Sequence, residues 1–153
     1  MSSITIIGAG NMGSAIAGLA LAAGSQVQVL TREATEVDPR VTAGTVGDEI
    51  TGDVVVLALP YGALDDVLGA YEGRLDGKVL VDITNPLDFA TFDSLVVPDG
   101  SSAAAQIQER VPGARGREAA MLKVTGTEVQ QRLTELMAEA AGPLALPFDP
   151  GFL

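Results

Sequence analysis

The chain has 153 residues and a formal net charge of −11, enough length for one domain with a real core and too acidic for a nucleic-acid surface, which needs a basic face. It contains neither cysteine nor histidine, which excludes disulfides, cysteine nucleophiles, Ser-His-Asp triads, histidine acid–base chemistry and an ordinary zinc site. Nearly half of its residues are hydrophobic and few are aromatic, so the core is aliphatic, and chemistry falls to a bound cofactor or to carboxylate, lysine or tyrosine groups.

A β-branched run from Ser3 to Ile7 predicts a first strand that ends abruptly at Gly8. Gly8, Gly10 and Gly13 spell G-x-G-x-x-G, and a helix is expected from Asn11 to Ala23, closed by Gly24. Its apolar stretch, Ala15 to Ala23, has no Lys or Arg before it and is interrupted by glycine, so it reads as a buried helix and not as a signal-peptide core. No transmembrane helix is expected, and the cytoplasm is the expected compartment. A second strand, Gln26 to Leu30, ends at Thr31-Arg32. Strand, tight turn, helix and strand in about thirty residues form the context in which this motif means dinucleotide binding. Gly8 serves the sharp turn, Gly10 the close approach of a pyrophosphate, and Gly13 the packing of helix on strand. The phosphates would sit on free N–H groups near Asn11 and Met12. The candidate cofactor residues of the turn are thus Gly8, Ala9, Gly10, Asn11, Met12 and Gly13.

An NAD-specific site carries an acidic residue at the end of the second strand. Thr31 stands there, followed by Arg32. A hydroxyl plus a guanidinium suits a 2′-phosphate, so the site reads as NADP. The competing reading leaves Arg32 as a solvated loop residue and gives the ribose to Glu33.

Between Glu33 and Asp53 a short strand (Val41 to Ala43) and a stub of helix (Val46 to Ile50) are expected. Val54 to Leu59 is a continuous apolar run fit for the centre of a parallel sheet, and it ends in Pro60-Tyr61, where ligands bind. Leu64, Val67, Leu68 and Tyr71 mark one face of a helix stopped by Gly73. Lys78 to Ile83 is a further strand whose polar end, Asp82 to Pro86 with Thr84 and Asn85, lies where a nicotinamide ring would be. Asp82 reads equally as a structural carboxylate receiving backbone N–H groups, and no catalytic role is assigned to it. Leu87 to Gly100 is loop-like; Ser101 or Ser102 caps a helix to about Val111, ended by Pro112-Gly113. A polar connector, Ala114 to Glu118, leads to a short strand (Ala120 to Val124) and a capping box, Thr125 with Glu128. Val129, Leu133, Leu136, Met137 and Ala140 line a last helix, and Leu144 to Phe148 is a final strand. Strands and helices alternate throughout, which means α/β: a Rossmann-type, doubly wound, mostly parallel sheet with helices on both faces, in a single domain over residues 1–153.

Four blocks carry a resemblance: Ile6-Ile7-Gly8-Ala9-Gly10-Asn11-Met12-Gly13-Ser14-Ala15, Leu30-Thr31-Arg32, Val56-Leu57-Ala58-Leu59-Pro60-Tyr61 and Val81-Asp82-Ile83-Thr84-Asn85-Pro86-Leu87. In order and spacing they resemble the NADPH-dependent reductases of coenzyme F-420, also called F-420H2:NADP oxidoreductases, over roughly residues 1–115. The resemblance implies NADP(H) as cofactor and coenzyme F-420 as co-substrate, with hydride passed between nicotinamide and a deazaflavin stacked at the sheet's carboxyl edge. It implies phosphate contacts from Gly10, Asn11 and Met12, 2′-phosphate contacts from Thr31 and Arg32, and a cofactor cleft lined by Leu59, Pro60 and Tyr61. After Arg115 the sequence departs from the family: Gly116-Arg117-Glu118 leads straight to what resembles a later strand and helix, Met121 to Ala141. Residues 116–153 therefore read as a shortened substrate-side part. Hydride transfer between stacked rings needs no protein acid or base, so neither a catalytic residue nor a metal ligand is assigned. Two other readings stay open, a non-catalytic NADP-binding module and an imine reductase like pyrroline-5-carboxylate reductase, whose fingerprint also reads Gly-x-Gly-Asn-Met-Gly. The expected partners are a small-molecule cofactor and acceptor, with no nucleic acid and no membrane. A homodimer is expected, since a reduced substrate half leaves apolar surface to cover.

Overall fold

Five short strands, β1 (Ser3–Ile7), β2 (Gln26–Thr31), β3 (Thr42–Thr45), β4 (Val54–Leu57) and β5 (Val79–Asp82), pair in parallel in the order β3-β2-β1-β4-β5. The structure is a computed structural model and describes residues 2–114. Helix α1 (Asn11–Ala22) joins β1 to β2. A single 3-10 turn (Tyr61–Ala63) runs into α2 (Leu64–Ala70) between β4 and β5, and α3 (Ala103–Arg110) follows the long loop after β5. The chain winds outward from β1 through β2 to β3, then returns to the other side of β1 for β4. That reversal opens a crevice at the carboxyl ends of β1 and β4, the switch point of a doubly wound sheet.

Side chains alternate between two cores, as the period of a strand requires. Ile6, Val27, Val29 and Val56 face one side and pack with Ala17 and Ala20 of α1. Ile7, Leu30, Val55, Leu57 and Leu80 face the other, against Leu64, Val67, Leu68 and Tyr71 and, from α3, Ile107. The small residues of α1 let the helix lie close to the sheet, while the larger ones of α2 fill a deeper layer.

One polar cluster interrupts the second core. Thr5 on β1 and Gln28 on β2 are register partners, and both are buried. The Thr5 hydroxyl donates to Gln28 Oε1 at 2.7 Å, and the Gln28 amide donates to the Glu49 carbonyl at 2.8 Å. The Thr51 N–H donates to Gln28 Oε1 at 3.0 Å, and the Gly52 N–H to Thr5 Oγ1 at 2.9 Å. Here the sheet is covered by extended chain, not by a helix, and the two side chains supply partners to backbone groups that would otherwise be orphaned.

Several expected boundaries shift. β2 runs one residue further, to Thr31, and β3 lies at Thr42–Thr45 where Val41 to Ala43 was expected. β4 stops at Leu57 and not Leu59; after Ala58 N–H bonds to the Ile7 carbonyl at 2.9 Å the chain leaves the sheet. The helix stub Val46 to Ile50 does not form. Gly47 has φ 108°, Asp48 takes the Thr45 N–H on its carboxylate at 2.7 Å, and the Tyr71 hydroxyl accepts the Gly47 N–H at 2.8 Å. A left-handed residue and two diverted amides leave no helical ladder. Ser102, not Ser101, caps α3, accepting the Ala105 N–H at 3.1 Å. The loop after β5 carries one antiparallel bridge, Leu87 with Leu95. The connector from Arg115, the strand at 120–124, the Thr125–Glu128 capping box, the last helix and the strand at 144–148 lie outside the described residues. So does the remainder of the single-domain reading. Among the described residues no helix is long and apolar enough to cross a membrane.

The polar cluster yields a stability test. Gln28→Leu removes an acceptor and a donor together and leaves the Thr5 hydroxyl proton, the Thr51 N–H and the Glu49 carbonyl without their partner, so it should cost about 2–4 kcal/mol in urea unfolding. A loss below about 0.5 kcal/mol would mean that these groups are already hydrated.

Candidate nucleotide cleft

The site begins with a backbone crossing. Gly8 leaves β1 at φ 114°, and a Cβ there would run into the Ala58 carbonyl at the end of β4. A Cβ on Gly13 would collide with the Gly8 carbonyl and press on the Ala58 side chain at 3.4 Å. The two outer glycines of the motif are thus required by packing. Gly10 differs: nothing lies within 4 Å of the place its Cβ would take, so the space in front of it is open.

Gly10 also caps α1 in an extended conformation, with no side chain bonded to the helix end and no acid in the first turn. The amides of Asn11 and Met12 therefore start the helix without a side-chain cap, beside open space and at the positive end of the helix dipole. Both residues are exposed.

From this turn a cleft of about 400 Å3 extends across the carboxyl ends of the strands. Of the residues expected from sequence, Gly8, Ala9, Gly10, Thr31, Arg32, Leu59 and Pro60 line it together. Asn11, Met12 and Gly13 open α1 and do not line it. Tyr61, Thr84 and Asn85 also lie away from its walls. The Tyr61 hydroxyl bonds to Gln106 on α3, beside a separate small hollow with Asp65 and Arg110. Thr84 is buried, and its hydroxyl finds no partner among the described residues, while Asn85 is exposed. The Asp82 carboxylate accepts the Thr84 N–H at 2.8 Å, the structural role weighed above.

Seven further wall residues were not singled out as site residues in the sequence: Ile7, Leu30, Val46, Ala58, Ala63, Asp66 and Val67. Val67 was visible as part of an apolar helical face. That the same face also reaches the cleft depends on how α2 crosses the sheet, which periodicity does not tell.

Charge is distributed unevenly around the opening. Arg40 is held by Asp38 at 2.6 Å, and that guanidinium, by hydrogen bonding, brings the Asp38 carboxyl down to about 2. Arg110 pairs with Asp65 at 3.4 Å. Arg74 donates to the Gly47 carbonyl at 3.0 Å and lies over the Tyr71 ring, and Lys78 donates to the Gly52 carbonyl at 2.7 Å. Among the described residues, Arg32 is the cation with no hydrogen bond or ion pair, and it lines the cleft. Its neighbour is committed inward: the Thr31 hydroxyl donates to the Glu33 carbonyl at 2.7 Å. A hydroxyl has one proton to give, so donation to an anion at this end falls to Arg32, and the sharing with Thr31 expected above is narrowed accordingly.

Comparison with known proteins fits this arrangement. A model of the family described as NADP oxidoreductase coenzyme F420-dependent matches residues 3–86. The solved structure of a candidate F420-dependent NADP reductase from Arthrobacter sp. FB24 is similar, with TM-score 0.67 and 28% identity, covering 74% of this chain and 60% of that one. A hypothetical protein from Sinorhizobium meliloti gives TM-score 0.64 and 30% identity over 74% of this chain and 58% of its own. A glycerol-3-phosphate dehydrogenase [NAD(P)+] of Pseudomonas fluorescens is 31% identical over 109 residues, 58% of this chain and 31% of the dehydrogenase. The chain thus spans about 60% or less of the length of these relatives. With the fingerprint turn, the sheet order and more than half of the sequence matched, the chain belongs to the family of coenzyme F420-dependent NADP oxidoreductases.

Proposed function

We propose that the cleft binds NADP(H) and that the protein passes hydride between its nicotinamide and a flat acceptor of the deazaflavin class. The observation that carries the reading is the pairing of an uncapped α1 terminus with the uncommitted Arg32 across one cleft. The first suits a pyrophosphate, and the second a 2′-phosphate. Family membership supports the oxidoreductase class. The cleft walls are otherwise apolar or glycine apart from Thr31 and Asp66, which suits a reaction in which the protein orients two rings and excludes water while the cofactor supplies the chemistry.

A second reading, a nucleotide-binding module without turnover, is favoured by one observation: Tyr61, Thr84 and Asn85 do not line the cleft. Mixing the protein with NADPH and oxidised coenzyme F-420 separates the two. Growth of the reduced deazaflavin band supports the reductase, and tight NADPH binding with no spectral change supports the module. We also propose a homodimer, in view of the exposed Phe89, Phe92, Leu95 and Val96; an elution volume matching one chain would count against it.

Cofactor selection rests on Arg32. A charge-assisted pair of about 1.5–3 kcal/mol corresponds to roughly one to two decades in affinity. NADPH should therefore bind more tightly than NADH, Arg32→Ala should remove most of the difference, and Thr31→Asp should invert it. Equal wild-type affinities, or an unchanged ratio in Arg32→Ala, would sink the 2′-phosphate assignment.

The fingerprint gives an independent test. Gly10 has φ −69° and open space at its Cβ, so Gly10→Val should fold normally while its branched side chain fills the pyrophosphate position. NADPH binding should be lost with the thermal midpoint nearly unchanged. An unaltered NADPH titration in this variant would refute the assignment.

A further inference from the structure

Two acidic residues stand side by side in the first turn of α2 and have different fates. Asp65 turns to Arg110 on α3 and pairs with it at 3.4 Å. Asp66 lines the cleft, and its carboxylate has neither a hydrogen bond nor an ion pair among the described residues. The rest of this part of the lining is aliphatic: Leu30 from β2, Val46 from the turn after β3, Ala63 from the 3-10 turn and Val67 from α2. Arg32 and Asp66 are the two charged groups of the lining. An apolar slot with a few convergent polar groups is the form of a site that holds a flat, mostly apolar ligand in one orientation.

If the pyrophosphate sits at the glycine turn and the 2′-phosphate at Arg32, the aliphatic slot is left for the base. We infer that Asp66 selects that base, accepting a hydrogen bond from the exocyclic amine of adenine. A carboxylate can only accept. Adenine presents an N–H2 donor at its 6-position, whereas hypoxanthine and guanine carry an oxygen acceptor there. An acceptor facing a second acceptor leaves both unpaired and adds repulsion, so the carboxylate both rewards the amine and penalises the oxo base. Asp66 thus acts as a specificity residue, separate from Arg32, which reads the phosphate. This inference rests on the dinucleotide reading of the cleft.

The test compares NADPH with its deaminated analogue, reduced nicotinamide hypoxanthine dinucleotide phosphate, by fluorescence titration of the full chain. The wild type should favour NADPH by about tenfold, the scale of one charge-assisted hydrogen bond at a partly open site. Asp66→Asn, whose amide can donate to the oxo group, should bring the two within about threefold, and Asp66→Ala should do so by weakening NADPH and relieving the repulsion of the oxo base. Asp66 is exposed, so both variants should fold, and thermal melting checks this. A wild-type ratio within twofold, or a ratio that survives both substitutions, overturns the inference. So does a purely electrostatic result, in which Asp66→Asn tightens NADPH relative to NADH and leaves the base ratio intact. Absence of NADPH binding to the wild type would overturn the underlying cleft reading and this inference with it, whereas binding without base preference overturns this one alone.

Discussion

The structure depends on a crossing of three backbone segments where no side-chain carbon fits. Gly8, Gly13 and the Ala58 carbonyl meet so closely that a single Cβ on either glycine would drive helix and strand apart. The contact sets the direction in which α1 leaves β1. That direction sets the uncapped helix terminus, through Gly10, at the edge of the crevice where the sheet reverses its winding. A packing requirement in the core therefore aims a polar feature at the surface. Gly10 sits between the other two and has no packing neighbour, so within one short motif the outer glycines answer to the fold and the inner one to the space in front of it.

Electrostatics sharpens the picture. A chain of net charge −11 opposes an anionic nucleotide at long range. Affinity has to come from groups close enough to act inside a screening length. Backbone amides at a helix terminus carry only partial charge, and the described cations other than Arg32 are bound up with Asp38, Asp65 or backbone carbonyls. One guanidinium then carries the local balance at the far end of the cleft. The inward turn of the Thr31 hydroxyl also matters here, since it ties the loop after β2 to Glu33 and leaves Arg32 at the rim.

Much of this was legible before the structure. The doubly wound, mostly parallel α/β class follows from G-x-G-x-x-G opening a helix after a β-branched run and from the alternation of strands and helices, whereas the order β3-β2-β1-β4-β5 and the assignment of Ile6 and Ile7 to opposite cores come from the structure. Legibility fails where a side chain from a distant segment decides local conformation. Val46 to Ile50 reads as a stub of helix, yet Gly47 turns left-handed and the Tyr71 hydroxyl, 24 residues further on, takes the Gly47 amide and keeps that stretch out of a helix. Tyr61 follows the central strand as a cleft residue would, but Gln106 on α3 holds it elsewhere. Asp66 shows the same limit from the other side. Nothing separates it from Asp65 in the sequence, and only the paths of α2 and α3 assign one to an ion pair and the other to the cleft.

The tie between Tyr71 and Gly47 has a consequence for how the molecule breathes. Tyr71 is fully buried at the end of α2, Arg74 caps its ring and bonds to the Gly47 carbonyl, and the preceding Val46 both lines the cleft and bonds through its N–H to the Thr31 carbonyl at 2.8 Å. The edge strand β3 is therefore anchored by a post from the helical layer as well as by the pairing of its own four residues with β2. Anything that fills the cleft leans on that same anchor. Occupancy and local opening of the sheet margin are then thermodynamically linked, and slowing of amide hydrogen exchange at Thr42–Thr45 becomes a gauge of cleft filling read from the opposite end of the motif.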